Sequence, residues 1–265
     1  MLKKALIAIV VIAVIGGVGL FILDRTIFAP TPVSTALPVA PTIAAPTAAV
    51  AQPTVAVAEN QMAAQPTAAA PAAAQPTDPA PAQTGGSAIV YKIDPTQSEA
   101  HYEVSETFFQ GNRLNLAIGR TKGIAGEVLV DFANPANSQI GTIVIDVSQL
   151  TSDESRRDNF IRNNALESAR YPQATFKPTK IEGIPASVKP GDSLTLKVTG
   201  DLTVKETTKP VTFDVTLTAN EDKVSGTAST EILLSDFGAG PIQLAMLQTE
   251  DQAKLVFDFI AVPAQ

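Results

Sequence analysis

From residue 89 onward, apolar and polar residues alternate with period two in short runs separated by Gly, Pro, Asn and Asp, and this pattern restricts the chain to antiparallel strands. The clearest run is Val211 to Ala219. There Val211, Phe213, Val215, Leu217 and Ala219 share one face, and Thr212, Asp214, Thr216 and Thr218 share the other. The same alternation recurs at Leu194, Leu196 and Val198, at Ile143, Ile145 and Val147, and at Leu255, Phe257 and Phe259. Shorter strands are expected near 91–93, 99–105, 124–131, 174–182 and 224–234. About eight strands suit a closed barrel, whose interior either is filled by side chains or holds one slender ligand. Periodicity accommodates a two-sheet sandwich equally. The small inward positions Ala100, Gly226 and Ala228 favour room inside.

One segment interrupts the strands. Thr151 to Ala169 opens with a T-x-x-E capping box and acidic first-turn residues, which predicts one or two helical turns, either a lid over a barrel end or a plain connector. Its arginines Arg156, Arg157 and Arg162, with Arg170 just beyond, form a basic cluster on an otherwise acidic domain. They read as a solvated face paired with acids, or as the source of one arginine that fixes a polar head at a cavity mouth.

Little else suggests chemistry. His101 is the sole histidine and is expected to be solvent-exposed, on a polar face with Glu99 and Glu103. With no cysteine and no G-x-S-x-G elbow, the chain offers neither a thiolate or His/Cys zinc site nor a histidine-centred serine triad. No catalytic residue, metal or cofactor is expected. The first 88 residues contain as many basic as acidic groups (Lys3, Lys4 and Arg25 against Asp24, Glu59 and Asp78), so the net −7 belongs wholly to the remainder. Such a domain repels phosphate backbones, and nucleic acid is not an expected partner.

Two further regions precede it. Residues 5–23 are uncharged and strongly apolar, long enough for one membrane crossing, and Lys3 and Lys4 before them predict a cytoplasmic N-terminus. The expectation is a signal-anchor over 1–25 and an extracytoplasmic remainder. Residues 26–88 repeat Pro-Thr and Ala-Pro units without apolar periodicity, a composition expected to form a disordered, extended linker to a domain at 89–265.

Three stretches carry a resemblance. RRDNFIRNNALESARYPQATF (156–176), DLTVKETTKPVTFDV (201–215) and ILLSDFG (232–238) stand in the order found in the YceI-like family, supported by IDPTQSEAHYEV (93–104) and the strand near Leu255 to Ile260. The resemblance spans 91–261. Glu206 stands where the family commonly has glycine, and Leu234 where arginine is frequent. The resemblance implies an all-β, extended antiparallel, eight-stranded lipocalin-like barrel whose interior holds an isoprenoid lipid, a polyprenyl chain or quinone tail, without catalysis. Candidate ligand-binding residues are then Tyr102, Arg157, Phe160, Tyr171, Phe176, Phe213 and Phe237. The protein is expected to be a membrane-tethered carrier or store of that lipid. Its alternative is a structural or adhesion module with a filled core, displayed on a stalk; the oligomeric state stays open.

Overall fold

In the computed structural model the chain is described at residues 29–43 and 88–264. The expected anchor over 1–25 and most of the linker expected over 26–88 lie outside the described residues. Among the described residues no helix is long and apolar enough to cross a membrane.

The folded part is a single twelve-stranded antiparallel sheet curled on itself. Its strands are β1 (Ile89–Ile93), β2 (Glu99–Phe108), β3 (Arg113–Thr121), β4 (Ile124–Ala125), β5 (Glu127–Val130), β6 (Gln139–Ile140), β7 (Ile143–Asp146), β8 (Gln173–Glu182), β9 (Ser193–Val204), β10 (Thr207–Ala219), β11 (Val224–Leu233) and β12 (Leu247–Pro263). From β7 to β12 each strand pairs with the next, and β12 also pairs with β2 and β1. The circuit closes because β2 pairs with β3, the chain runs from β3 into β4, and β4 pairs with β7.

The expected count of eight strands is therefore corrected to twelve. One extra segment comes from a break, and β3 and β6 are strands outside the expected set. The strand expected over 124–131 divides at Gly126 into β4, which pairs with β7, and β5, which pairs with β1. A Cβ at Gly126 would lie 2.5 Å from Ile143 Cδ1, so glycine lets the strand change partners at close quarters. The strand β3 has a different origin. Its regular apolar positions, Leu114 and Leu116, point outward, while the inward set contains Asn115, Ala117 and Gly119, so its polarity is inverted at one end and periodicity does not expose it as a half-buried strand.

Inward residues of the long strands make the core: Leu196 and Val198, Val215 and Leu217, Val224 and Ala228, Phe259 and Ala261, with Tyr91, Ile93 and Ile124 from the shorter strands. Tyr91 closes one end. Its hydroxyl donates to Asn220 O at 2.7 Å, and burial, with the nearby acids Glu221 and Asp222, pushes its pKa up to about 12. Gly226 does not make room for a ligand, as its small size suggested. A Cβ there would meet Thr216 O at 2.3 Å and Leu217 Cα at 2.7 Å, so glycine permits β11 to approach β10. Gly226→Ala is expected to cost about 1–3 kcal/mol through forced separation of these strands, read as a lowered urea midpoint.

The helical segment forms α1 (Ser155–Phe160), continued by a wider π-helical turn over Ile161–Ala165. The predicted capping box is displaced. Thr151 is held in a strand-like bridge with Arg120, and Glu154 is the N-cap, accepting from Arg156 N at 3.0 Å. Residues 29–43, part of the expected extended linker, run along the barrel in contact with it and bury Pro38. Asn163 Nδ2 and Gln149 Nε2 donate to the carbonyls of Ala29 and Ala36, and Ile43 N donates to Glu127 Oε2. A proline-rich chain leaves its carbonyls free of internal hydrogen bonds, and these side chains take them up.

Candidate functional site

The sheet encloses a continuous cavity of about 750 Å³. A filled, dry core, as the adhesion-module alternative requires, is not what this interior contains. Small and large residues share its wall in register. Ala228 on β11 lies opposite Phe257 on β12, which lies opposite Ala100 on β2, so one ring is flanked by two methyl groups. Phe257 stacks on Phe259 with centroids 5.3 Å apart, and Phe176 meets Phe213 edge to face at 4.9 Å. Val198, Val215, Leu217 and Ile145 complete an apolar wall.

Polar groups gather at one end. The turn after β2, the helical segment, the turn between β9 and β10 and the chain from Leu234 to Met246 all lie there. Lys205 in the β9–β10 turn ties them together, donating to Ala165 O at 3.2 Å and Gly238 O at 2.8 Å and pairing with Glu167 at 3.0 Å. Phe160, Ile161 and Leu166 turn their side chains toward the cavity, so the helical segment closes part of this end.

At its centre is a buried ion pair. Glu106, 4% exposed, accepts from Arg157 Nε at 3.0 Å and Nη2 at 3.1 Å, and from Asn115 Nδ2 at 3.1 Å. Arg157 Nη1 also reaches Ser152 Oγ at 3.2 Å and pairs with Asp153. Burial opposes the charge on Arg157, but hydrogen bonds to Glu106 and Asp153 outweigh it and raise its pKa; the same bond from Arg157 lowers that of Asp153. Asp158 accepts from Ser152 N and Oγ at 2.8 and 2.6 Å, fixing the start of α1.

The sequence-predicted site residues divide unevenly. Tyr102, Arg157, Phe160, Phe176, Phe213 and Phe237 all border the cavity. Burial raises the pKa of the Tyr102 phenol, which stays neutral, and its ring lies where a Cβ at Gly119 would be, 2.3 Å from Tyr102 Cε1. Tyr171 does not border it. It ends the helical segment on the outside, beneath the Arg170 guanidinium at 4.8 Å, which itself pairs with Glu206. The basic cluster also dissolves into separate roles: Arg157 in the buried pair, Arg162 donating to Leu150 O and Asn159, and Arg170 on the surface. His101 keeps its expected neighbours, Glu103 at 3.4 Å and Glu99 at 4.0 Å, but its side chain is only 10% exposed, not solvated as expected. It sits between Val256 on β12 and Arg120 on β3.

Glu106 was missed. Continuing the alternation Ala100, Tyr102, Val104 by one more step places an acid on the inward face, and that was the available signal. Among the described residues no group of three or more His, Asp or Glu side chains is placed to hold a metal ion.

Comparison with known proteins covers the same region. Residues 91–261 match the YceI-like domain. Protein YceI of Escherichia coli is 31% identical over 163 residues, 58% of this chain and 79% of that protein. A UPF0312 protein of Vibrio parahaemolyticus is 31% identical over 162 residues, with the same coverage of each chain. A solved structure described as a polyisoprenoid binding domain from Saccharophagus degradans, implicated in plant cell wall breakdown, aligns with a TM-score of 0.50. It is 14% identical and covers 66% of this chain and 99% of its own, a likeness of fold.

Proposed function

The chain belongs to the YceI-like domain family, and on that premise we propose that it binds an isoprenoid lipid, a polyprenyl chain or quinone tail, inside its cavity, for storage or transport. One observation carries this reading: a continuous, largely apolar cavity of about 750 Å³ with most of its charged groups, the Glu106–Arg157 pair among them, at one end. That volume lies within the range of small-molecule sites, and the division matches a ligand with a long hydrocarbon tail and one polar end. Burial contributes about 0.8 kcal/mol per methylene, so a tube of aliphatic and aromatic side chains binds such a tail without any specific polar contact. The polyisoprenoid-binding description of the fold neighbour from Saccharophagus degradans points to the same class.

The cell-membrane setting is part of the proposal. The apolar run over residues 5–23, with Lys3 and Lys4 before it, would anchor the chain by a single pass with its N-terminus in the cytoplasm. The barrel would then work outside the cytoplasm at the end of a linker. No catalytic role is assigned.

To test this, residues 29–265 are produced in a host that makes isoprenoids, purified without detergent, extracted with organic solvent and analysed by mass spectrometry. A stoichiometric polyprenyl or quinone species is the expected result. An empty extract that remains empty after incubation with polyprenols and quinones would overturn the carrier reading.

A further inference from the structure

One rim of the barrel breaks the rule that outward positions are polar. Leu114 is 81% exposed, Met246 58%, Phe109 53% and Leu116 52%. They are neighbours in space: Phe109 N donates to Met246 O at 3.0 Å, and Leu247, Phe108 and Arg113 lie in register across β12, β2 and β3. Leu114 and Leu116, two residues apart on one strand, leave the sheet on the same outer face. The equivalent outer positions of β9 and β10 carry Thr195, Lys197, Thr212 and Asp214. Packing gives these apolar side chains no reason to be there, and a contiguous exposed apolar patch marks a surface that meets an apolar partner.

Charge narrows the partner. Residues 107–118 contain one charged group, Arg113, and residues 238–249 contain none, on a domain whose net charge is −7. The rim is thus a neutral to basic island, with the Arg113 guanidinium over the Phe108 ring at 5.4 Å, a cation–π contact at its edge. The rim also has no boundary with the interior, because Phe108, Leu244, Met246 and Leu247 border the cavity as well.

We propose that this rim is a bilayer-docking surface. Phe109, Leu114, Leu116 and Met246 enter the boundary between lipid headgroups and acyl chains, Arg113 stays at the phosphates, and the cavity mouth opens against hydrocarbon. A long apolar molecule can then pass between bilayer and barrel without crossing water. Docking extends the carrier reading but does not depend on it, since lipid contact is measured whether or not the cavity is filled.

The chain has no cysteine, so one introduced cysteine reports one position. Full-length Leu114→Cys, labelled with an environment-sensitive fluorophore, is reconstituted with vesicles of phosphatidylethanolamine and phosphatidylglycerol carrying a spin label on their acyl chains. Glu221→Cys, in the turn between β10 and β11 at the opposite end, is the matched control. Only protein that floats with the vesicles is read. The expected result is a blue-shifted label at 114, quenched by the acyl-chain probe several times more strongly than at 221. The same quenching measured from a label at Phe109→Cys should fall to the control level in the Leu116→Glu background. The proposal is overturned if the chain does not float, if the label at 114 stays as water-exposed as that at 221, or if it is shielded only as protein concentration rises and is indifferent to the lipid probe. That last result would mean a second copy covers the rim.

Discussion

Arg157→Leu is expected to destabilise the domain by about 3–5 kcal/mol, because it leaves the Glu106 carboxylate buried without its partner. Glu106 is 4% exposed and accepts both bonds of the guanidinium fork, and its other bond comes from the exposed Asn115. Water cannot replace the lost donors without opening the space between β2 and α1. The prediction separates the pair from its members. Glu106→Leu combined with Arg157→Leu removes both charges from the low-dielectric site, and the double variant should recover most of the loss, since a well-packed apolar pair is often as stable as a buried ion pair. Urea unfolding of the two single variants and the double gives the interaction energy directly. A double variant as unstable as Arg157→Leu would mean that the guanidinium acts chiefly through Ser152 and Asp153.

Filling the cavity is expected to have the largest effect on cargo. Ala100→Phe with Ala228→Phe places a ring on either side of Phe257, in register across three strands, and should abolish the lipid recovered from purified protein. The cost in stability should stay within about 1–3 kcal/mol, since the added rings enter open volume and not a filled core. Circular dichroism and the urea midpoint check the fold, and mass spectrometry of the extract checks the cargo. Full cargo occupancy in a folded double variant would place the lipid elsewhere.

These two expectations rest on different kinds of legibility. The wall of the cavity could be read residue by residue, because strands alternate with a period of two and Phe176, Phe213 and Phe257 occupy the apolar phase of clear alternations. The polar end could not. Glu106 lies in the inward phase of β2, yet nothing local says that its partner is an arginine on a helical segment 51 residues later. The cluster of arginines was visible, but its division into Arg157 inside, Arg162 under Leu150 O and Arg170 outside depends on which side of the helical segment meets the barrel. Tyr171 was misplaced for the same reason. It follows the helical segment, and the direction of that short connection is set by the turn in which Arg170 N and Tyr171 N donate to Glu167 O and by the start of β8.

The strand β3 shows the limit from the other direction. Its outward leucines invert the usual polarity, so a rule built on burial passes over it, although it supplies the pairing that closes the barrel. Likewise the T-x-x-E signal was real chemistry in the wrong place: a bridge between Thr151 and Arg120 claimed the backbone of the expected cap, and the helix began one turn later.

By itself the sequence determined the all-β class, the antiparallel pairing, the helical interruption, the family and the apolar character of the interior, because each follows from short-range periodicity or from a motif contained in one segment. Only the tertiary structure decided that the interior is open, that Glu106 and Arg157 meet in it, that residues 29–43 lie along the barrel and that an exposed apolar patch lies at one corner of its end. Those properties depend on residues far apart in the chain, and burial at such places is set by what the opposite wall contributes and not by any local pattern.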